Sequence, residues 1–275
     1  GVQTCALPIS AGFAIFKEDL KGLLAYSTIS HLGLIVCLLG IGSPLAVAAA
    51  IFHIINHATF KAALFMIAGI IDHESGTRDL RKLSGLWQLL PFTGTLTMIT
   101  AASMAGVPLT NGFISKEMFF TELLANLSGP VMVISAIVAT LAGIFAVSYS
   151  IRLVHGVFFD GELGNQVPNK DAHEPPLGMR LPAIFLATLC ILVGIFPALL
   201  AGTMVNSVTR ASLMQPNFEG THLAIWHGIN APLLMSVVAL IGGAIFYFSL
   251  AKDGRIRKID LDPYLGKFQG KILFE

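Results

Sequence analysis

The sequence predicts an all-α fold, a polytopic bundle of transmembrane helices, and three observations carry that expectation. Only 12% of the 275 residues are charged and 55% are hydrophobic, whereas soluble domains average about 25% charged. Mean hydropathy is +0.77. The charges gather in short clusters between apolar runs long enough to cross a bilayer, the pattern of a multi-pass membrane protein.

Composition also excludes several classes of function. A net charge of +1 gives no basic face for nucleic acid and no acidic tail. Cys5, Cys37 and Cys190 form neither a metal-ligand spacing nor a disulfide framework, and read as inert small residues. There is no P-loop, no nucleotide-binding glycine fingerprint and no paired-histidine metal motif, so no cofactor and no metal is expected.

The elements follow in order. Residues 1–9, GVQTCALPI, match the translation of a widely used sequencing-library adapter and are read as an assembly scar outside the fold. The membrane domain is expected over 10–251, with 10–16 as the tail of an earlier span. A hydrocarbon core of about 30 Å needs about 20 helical residues. By that measure seven crossings are expected, at 22–42, 46–71, 90–107, 112–128, 130–158, 181–204 and 230–251.

The first opens on Glu18, Asp19 and Lys21 and carries Ser27, Thr28, Ser30 and His31 inside it. Hydroxyls in spans usually bond back to their own helix; His31 is a secondary relay candidate that could extend a wet path, with packing as the alternative. Between the third and fourth, MAGVPLTNGFISKEMFF places Gly106, Pro108 and Gly112 at membrane depth, which predicts a discontinuous helix near 104–120. Arg152, near the end of its span, is expected to snorkel.

Seven crossings would put Lys17, Lys21, Arg78, Arg81 and Lys82 on one face. Arg152, Lys170, Arg180 and the basic tail at 252–275 would lie on the other. The tail mixes basic and apolar residues and reads as cytoplasmic or interfacial.

The stretch FHIINHATFKAALF carries the chemistry. His53, His57 and Lys61 recur at every fourth residue. Each step of four drifts by about 40°, so the three share a stripe roughly 80° wide, with successive side chains ~6 Å apart along the axis. Such a stripe on an apolar helix must face a bundle interior or a wet cavity. Lysine and histidine can both exchange protons there, and one water bridges a gap of that size. The alternative is a set of helix–helix hydrogen bonds and a structural ion pair. Lys116 follows the GVPLTNGF break, where a half-helix end would present a partial charge to it. Glu117 is a candidate partner, although adjacent residues face different sides of a helix.

These residues resemble a known family. DLKGLLAYSTISHLG, FHIINHATFKAALFM and GVPLTNGFISKEMFF are similar to the second half of the proton-translocating antiporter module. That module is shared by the large Mrp antiporter subunits and the membrane-arm subunits of respiratory complex I. HESGTRDLRKLSGL, SMAGVPLTNGFISKEMFFTELL and AIWHGINAPLLMS resemble the large MrpA component of the multisubunit Na⁺/H⁺ antiporter in particular, and the likeness runs over 10–275.

The resemblance implies a second antiporter-like repeat whose proton relay is Lys61, His57, His53 and Lys116, with Lys21 at an entrance of lesser weight. It implies H⁺ and Na⁺ as the transported ions, other antiporter subunits and lipid as partners, no enzyme activity and a bacterial inner-membrane location. The first repeat's glutamate–lysine pair is expected upstream. Two other readings remain: a proton-pumping subunit of a complex I-type NADH:quinone oxidoreductase, and a non-transporting membrane scaffold.

Overall fold

The computed structural model describes residues 2–161, 167–221, 223–224 and 228–252. The tail expected at 252–275 lies outside them beyond Lys252, as does part of the AIWHGINAPLLMS motif. The helices are α1 (Val2–Phe16), α2 (Leu20–Ile41), α3 (Pro44–Ser75), α4 (Pro91–Ala105), α5 (Asn111–Asn126), α6 (Gly129–Val154), α7 (Leu177–Ile195), α8 (Thr203–Leu213) and α9 (Ala231–Lys252). Wider π-type turns follow α6 at His155–Phe159 and precede α8 at Ala198–Gly202. Among the described residues the only β feature is an antiparallel bridge between Asp19 and Asp79.

Local chemistry sets the helix ends. The Asp19 carboxylate accepts from Gly22 N at 2.7 Å, and Ser43 Oγ accepts from Ala46 N at 3.0 Å, so each satisfies an orphan donor in a first turn. Pro44 and Pro91 sit at first helical positions, where the missing N–H costs nothing. Gly76 closes α3 and Gly106 closes α4 in the left-handed conformation, at φ of 73° and 83°.

Hydrogen bonds fix the direction of the helices. The α1–α2 corner joins the loop after α3, with Leu20 N donating to Arg78 O at 2.9 Å and Leu80 N to Glu18 O at 2.7 Å. Around it lie the ion pairs Arg78–Asp19 at 2.5 Å, Arg81–Glu18 at 2.9 Å and Lys21–Asp72 at 3.0 Å. Arg81 also donates to Asp79, and that hydrogen bond holds the Asp79 carboxyl below the usual carboxylate range.

The segment after α6 returns to this charged end. Asn169 Nδ2 donates to Glu74 O at 2.7 Å, and Glu174 accepts from Thr93 N at 2.9 Å. At the opposite end of the bundle, Ser43 Oγ donates to Glu122 Oε2 at 2.8 Å.

Those contacts revise the expected count of crossings. Thr93, at the start of α4, is tied to the charged end, and Glu122, near the end of α5, to the opposite end. Helices α4 and α5, 15 and 16 residues long, thus share one pass interrupted at 106–110. Each alone would reach about 22–24 Å, short of a ~30 Å core. The regions 90–107 and 112–128, expected as two crossings, are the two halves of one discontinuous helix.

The basic residues move accordingly. With one pass fewer, Lys170 and Arg180 share an end with Lys21, Arg78 and Arg81 instead of facing them. Among the described residues, the segments at the opposite end carry Arg210 as their one basic side chain. Among the described residues five helices are long and apolar enough to cross a membrane: α2, α3, α6 with its following turn, α7 and α9. Arg152 does not snorkel. It is 5% exposed, and its guanidinium donates to the Ile15 carbonyl in the last turn of α1, where a cation complements the helix terminus.

The bundle is apolar outside and polar within. Val131, Ile134 and Ile137 on α6, and Ile241 and Ile245 on α9, are exposed, as lipid-facing residues should be. The interior holds Leu23, Phe60, Leu64, Tyr149 and Phe158, together with the buried polar residues His53, Asn56, Thr97, Thr100, Ser103 and Asn111. Close approach fixes some glycines. A Cβ on Gly112 would overlap the Ser103 carbonyl, and one on Gly194 would meet the Leu109–Thr110 backbone, so α4 and α7 both press on the break.

Gly112→Ala should therefore destabilise the folded protein by about 1–3 kcal/mol, the usual cost of overpacking. Gly69→Ala, with nothing within 4 Å of the new methyl, should not; thermal denaturation of the purified full-length protein distinguishes the two. Arg81, Ser128 and Lys170 are all exposed. Single cysteines replacing Arg81 and Lys170, in a background without the native cysteines, should be labelled by an impermeant thiol reagent from the same side, and one replacing Ser128 from the other. Labelling of the Arg81 and Lys170 replacements from opposite sides would restore the seven-crossing arrangement.

Candidate functional site

The α3 stripe faces inward, as its period requires. His53 and Lys61 are 0% and 4% exposed, and His57 is partly buried. The His53 and His57 ring centroids lie 6.3 Å apart, matching the ~6 Å expected of one helical turn.

The structure adds to the row a ring that the sequence left between packing and a wet path. His31 of α2 places Nδ1 3.0 Å from His53 Nε2, and its ring centroid is 5.2 Å from that of His53 and 5.3 Å from that of His57. His31 Nε2 faces the Tyr149 hydroxyl of α6 at 3.3 Å. The other nitrogen of His53 meets Ser115 Oγ of α5 at 2.9 Å. A continuous hydrogen-bonded row therefore runs Tyr149–His31–His53–Ser115 through four helices. The signal for His31 was its place beside Ser27 and Ser30 on an inward face, which periodicity alone does not separate from packing.

Lys61 sits at the α2 side of the stripe. Its ammonium donates to Leu24 O at 3.1 Å and to Ser27 Oγ. Ser27 also bonds back to Leu24 O at 2.8 Å, as hydroxyls in spans do, so it links the lysine to its own helix. Ser30 departs from that rule and donates across to Leu7 O of α1 at 2.9 Å.

Lys116 lies one residue beyond Ser115 and turns back towards the break. Its Nζ donates to Met104 O at 2.9 Å and Ala105 O at 2.7 Å, the last carbonyls of α4. That is the expected meeting of a cation with the negative end of a half-helix. His31, Tyr149, Ser30 and Lys116 also line one cavity of ≈ 30 Å³. A single water needs about 10–15 Å³, so the space admits one or two between the histidine row and the lysine.

Two expected participants lie elsewhere. Glu117 is buried, and its Oε1 accepts from Ser236 Oγ of α9 at 2.7 Å, on a different face from Lys116. Lys21 pairs with Asp72 at the charged end, away from the row. Among the described residues no cluster of three or more His, Cys, Asp or Glu side chains could hold a metal ion.

Chemically, the arrangement is a line of groups that can each donate or accept a proton, enclosed in apolar helices, with Lys61 one turn beyond His57 on α3 and Lys116 next to Ser115 on α5. The two amines rest on carbonyl and hydroxyl oxygens.

Comparison with known proteins bears on the same region. Residues 2–143, which include α1–α5 and the whole histidine–lysine stripe, match the family described as NADH:quinone oxidoreductase/Mrp antiporter, transmembrane. A probable K⁺/H⁺ antiporter A/B component of Rhizobium meliloti is 53% identical over 98% of the chain. The A component of an Na⁺/H⁺ antiporter of Alkalihalophilus pseudofirmus is 41% identical over 86% of the chain. The chain spans 27% and 32% of the lengths of those two relatives. Among solved structures, a chain of the Mrp complex from a Dietzia species superposes with a TM-score of 0.82 at 34% identity, covering 98% of this chain and 28% of that one. The fold, the matched span and these relatives agree: the chain is part of a multi-pass membrane protein and belongs to the NADH:quinone oxidoreductase/Mrp antiporter family.

Proposed function

We propose that the chain is a proton-conducting part of the large MrpA-type component of a multisubunit cation/proton antiporter. The observation that carries this is the row Tyr149–His31–His53–Ser115, flanked by Lys61 and Lys116, inside a bundle that otherwise buries apolar side chains. A proton moves along the row through the histidines and the cavity water, and Lys61 and Lys116 take up and release it at either side. The His57 ring lies tilted against His31, with centroids 5.3 Å apart, and offers a second route to Lys61. Downhill proton entry drives export of Na⁺ or K⁺ by the assembled complex, whose other subunits are the partners. The relatives carry both cation names, which supports a monovalent alkali ion as the cation.

The positive-inside rule sets the orientation. Basic residues collect at the end that holds Lys21, Arg78, Arg81 and Lys170, so that end faces the cytoplasm of a bacterial inner membrane. In a complex I-type pump the same row would serve electron-driven pumping. The antiporter relatives favour cation exchange. In a scaffold the polar groups only lock helices together, and replacing a buried ion by an apolar side chain of similar size is often neutral for stability.

Substitution at Lys61 separates charge from titration. A relay amine must bind and release a proton in each turnover, whereas arginine keeps its proton. Lys61→Arg in the assembled complex should lower cation/H⁺ exchange about tenfold or more, as should Lys61→Ala, with the amount of assembled protein unchanged. His57→Ala should be milder, because a water can bridge its ~6 Å gap. The measurement is the pH-gradient response of everted vesicles to added Na⁺ or K⁺, normalised to the amount of assembled protein. Near-normal exchange by the arginine variant would overturn the relay and leave the scaffold.

Lys116→Ala should likewise reduce cation-driven proton movement while the complex assembles. Wild-type exchange at normal protein levels would remove Lys116 from the path.

A further inference from the structure

Beside the histidine row, α3 touches the helix break through a second set of polar groups. Asn56, on α3 between His53 and Lys61, is 0% exposed, as is Asn111, the first residue of α5. Asn56 Nδ2 donates to the Asn111 backbone carbonyl at 3.1 Å, which fixes the orientation of its amide, because the opposite orientation would set two carbonyl oxygens against each other. Ser103 Oγ of α4 donates to Asn111 Oδ1. The three residues thus join α3, α4 and α5 at 106–110, where the backbone leaves the helical pattern.

Two atoms of this set are buried with no protein partner, Asn56 Oδ1 and Asn111 Nδ2. One is an acceptor and the other a donor, and they belong to residues already in contact. Buried amide groups are nearly always hydrogen-bonded, and leaving one unmatched is costly. An alkali cation does not fit, since the Asn111 N–H would point at it. A water molecule does: it donates to Asn56 Oδ1, accepts from Asn111 Nδ2 and keeps one further proton to share.

We propose that Asn56 and Asn111 form a water-binding site at the helix break, and that its water gives the relay helix a third link to the discontinuous helix, alongside His53–Ser115 and the direct Asn56–Asn111 hydrogen bond. The site holds one water and positions the start of α5, five residues ahead of Lys116. Asn56 is then a positioning residue for transport: its amide holds the water and the α5 N-terminus in register with the histidine row. The transport role rests on the relay proposed above, while the water site does not.

The experiment has two readouts in the full-length complex. A high-resolution density map should show an ordered water within hydrogen-bond distance of both Asn56 Oδ1 and Asn111 Nδ2. Two amides bonded directly to each other, with no density between them, would overturn the site, whatever becomes of Lys61→Arg. Asn56→Leu keeps the side-chain volume and removes both the acceptor for the water and the donor to Asn111 O. It should lower the maximal rate of cation/H⁺ exchange by roughly 5- to 100-fold, the range two lost hydrogen bonds support, while the half-saturating cation concentration and the amount of assembled protein stay unchanged. An unchanged rate with the water lost would overturn the transport role. If the leucine variant does not assemble, Asn56→Ser, which can still accept a hydrogen bond, takes its place. Its map should retain the water, and a map without it would count against the site.

Discussion

A backbone that leaves the helical pattern inside a membrane has no water to satisfy its peptide groups, and the interruption between α4 and α5 has to answer that demand. Much of the surrounding structure follows from it. Gly106 takes the left-handed conformation, and its N–H bonds to Ala102 O and Ser103 O at 3.0 and 3.1 Å. Thr110 Oγ1 donates to Val107 O at 2.7 Å. Lys116 reaches back over its own helix to the last two carbonyls of α4. The amine is placed by an unpaired helix terminus, so its position is a consequence of the break and would not survive in a continuous helix. Gly112 and Gly194 let neighbouring backbones close on the gap.

The same demand explains which parts of the site could be read from the sequence. The α3 stripe was legible because a four-residue repeat of ionisable groups in an apolar run has one geometric meaning, and the measured ring spacing of 6.3 Å agrees with it. The break was legible from Gly106, Pro108 and Gly112. Its topological meaning was not: two apolar stretches of 15 and 16 residues look like two short crossings until tertiary contacts tie one to the charged end and the other to the far end. That single difference moved Lys170 and Arg180 across the bundle.

His31, Tyr149 and Ser115 show the complementary limit. Each has an ordinary residue type for its helix, and its importance lies in partners 22, 118 and 62 positions away in sequence. Arg152 is a further case. Its place near a helix end suggested an extended side chain seeking water, yet it lies buried against the terminus of α1, where its guanidinium donates to the Ile15 carbonyl. Periodicity reports the face on which a residue lies; it does not report what waits on the other side.

The histidine row has a consequence for timing. A neutral imidazole donates from one nitrogen and accepts at the other, so Tyr149–His31–His53–Ser115 holds its hydrogen bonds all in one sense or all in the reverse. Under the proposed relay, a proton handed in at one end would displace another from the far end and leave every bond reversed. The row could not then carry a second proton the same way until the rings and hydroxyls had turned back. Such a wire would behave as a latch that fires once and must be rearmed. His31 has His53, His57 and Phe60 against its ring and also borders the cavity, so the rhythm of transport would depend on how freely that one ring turns.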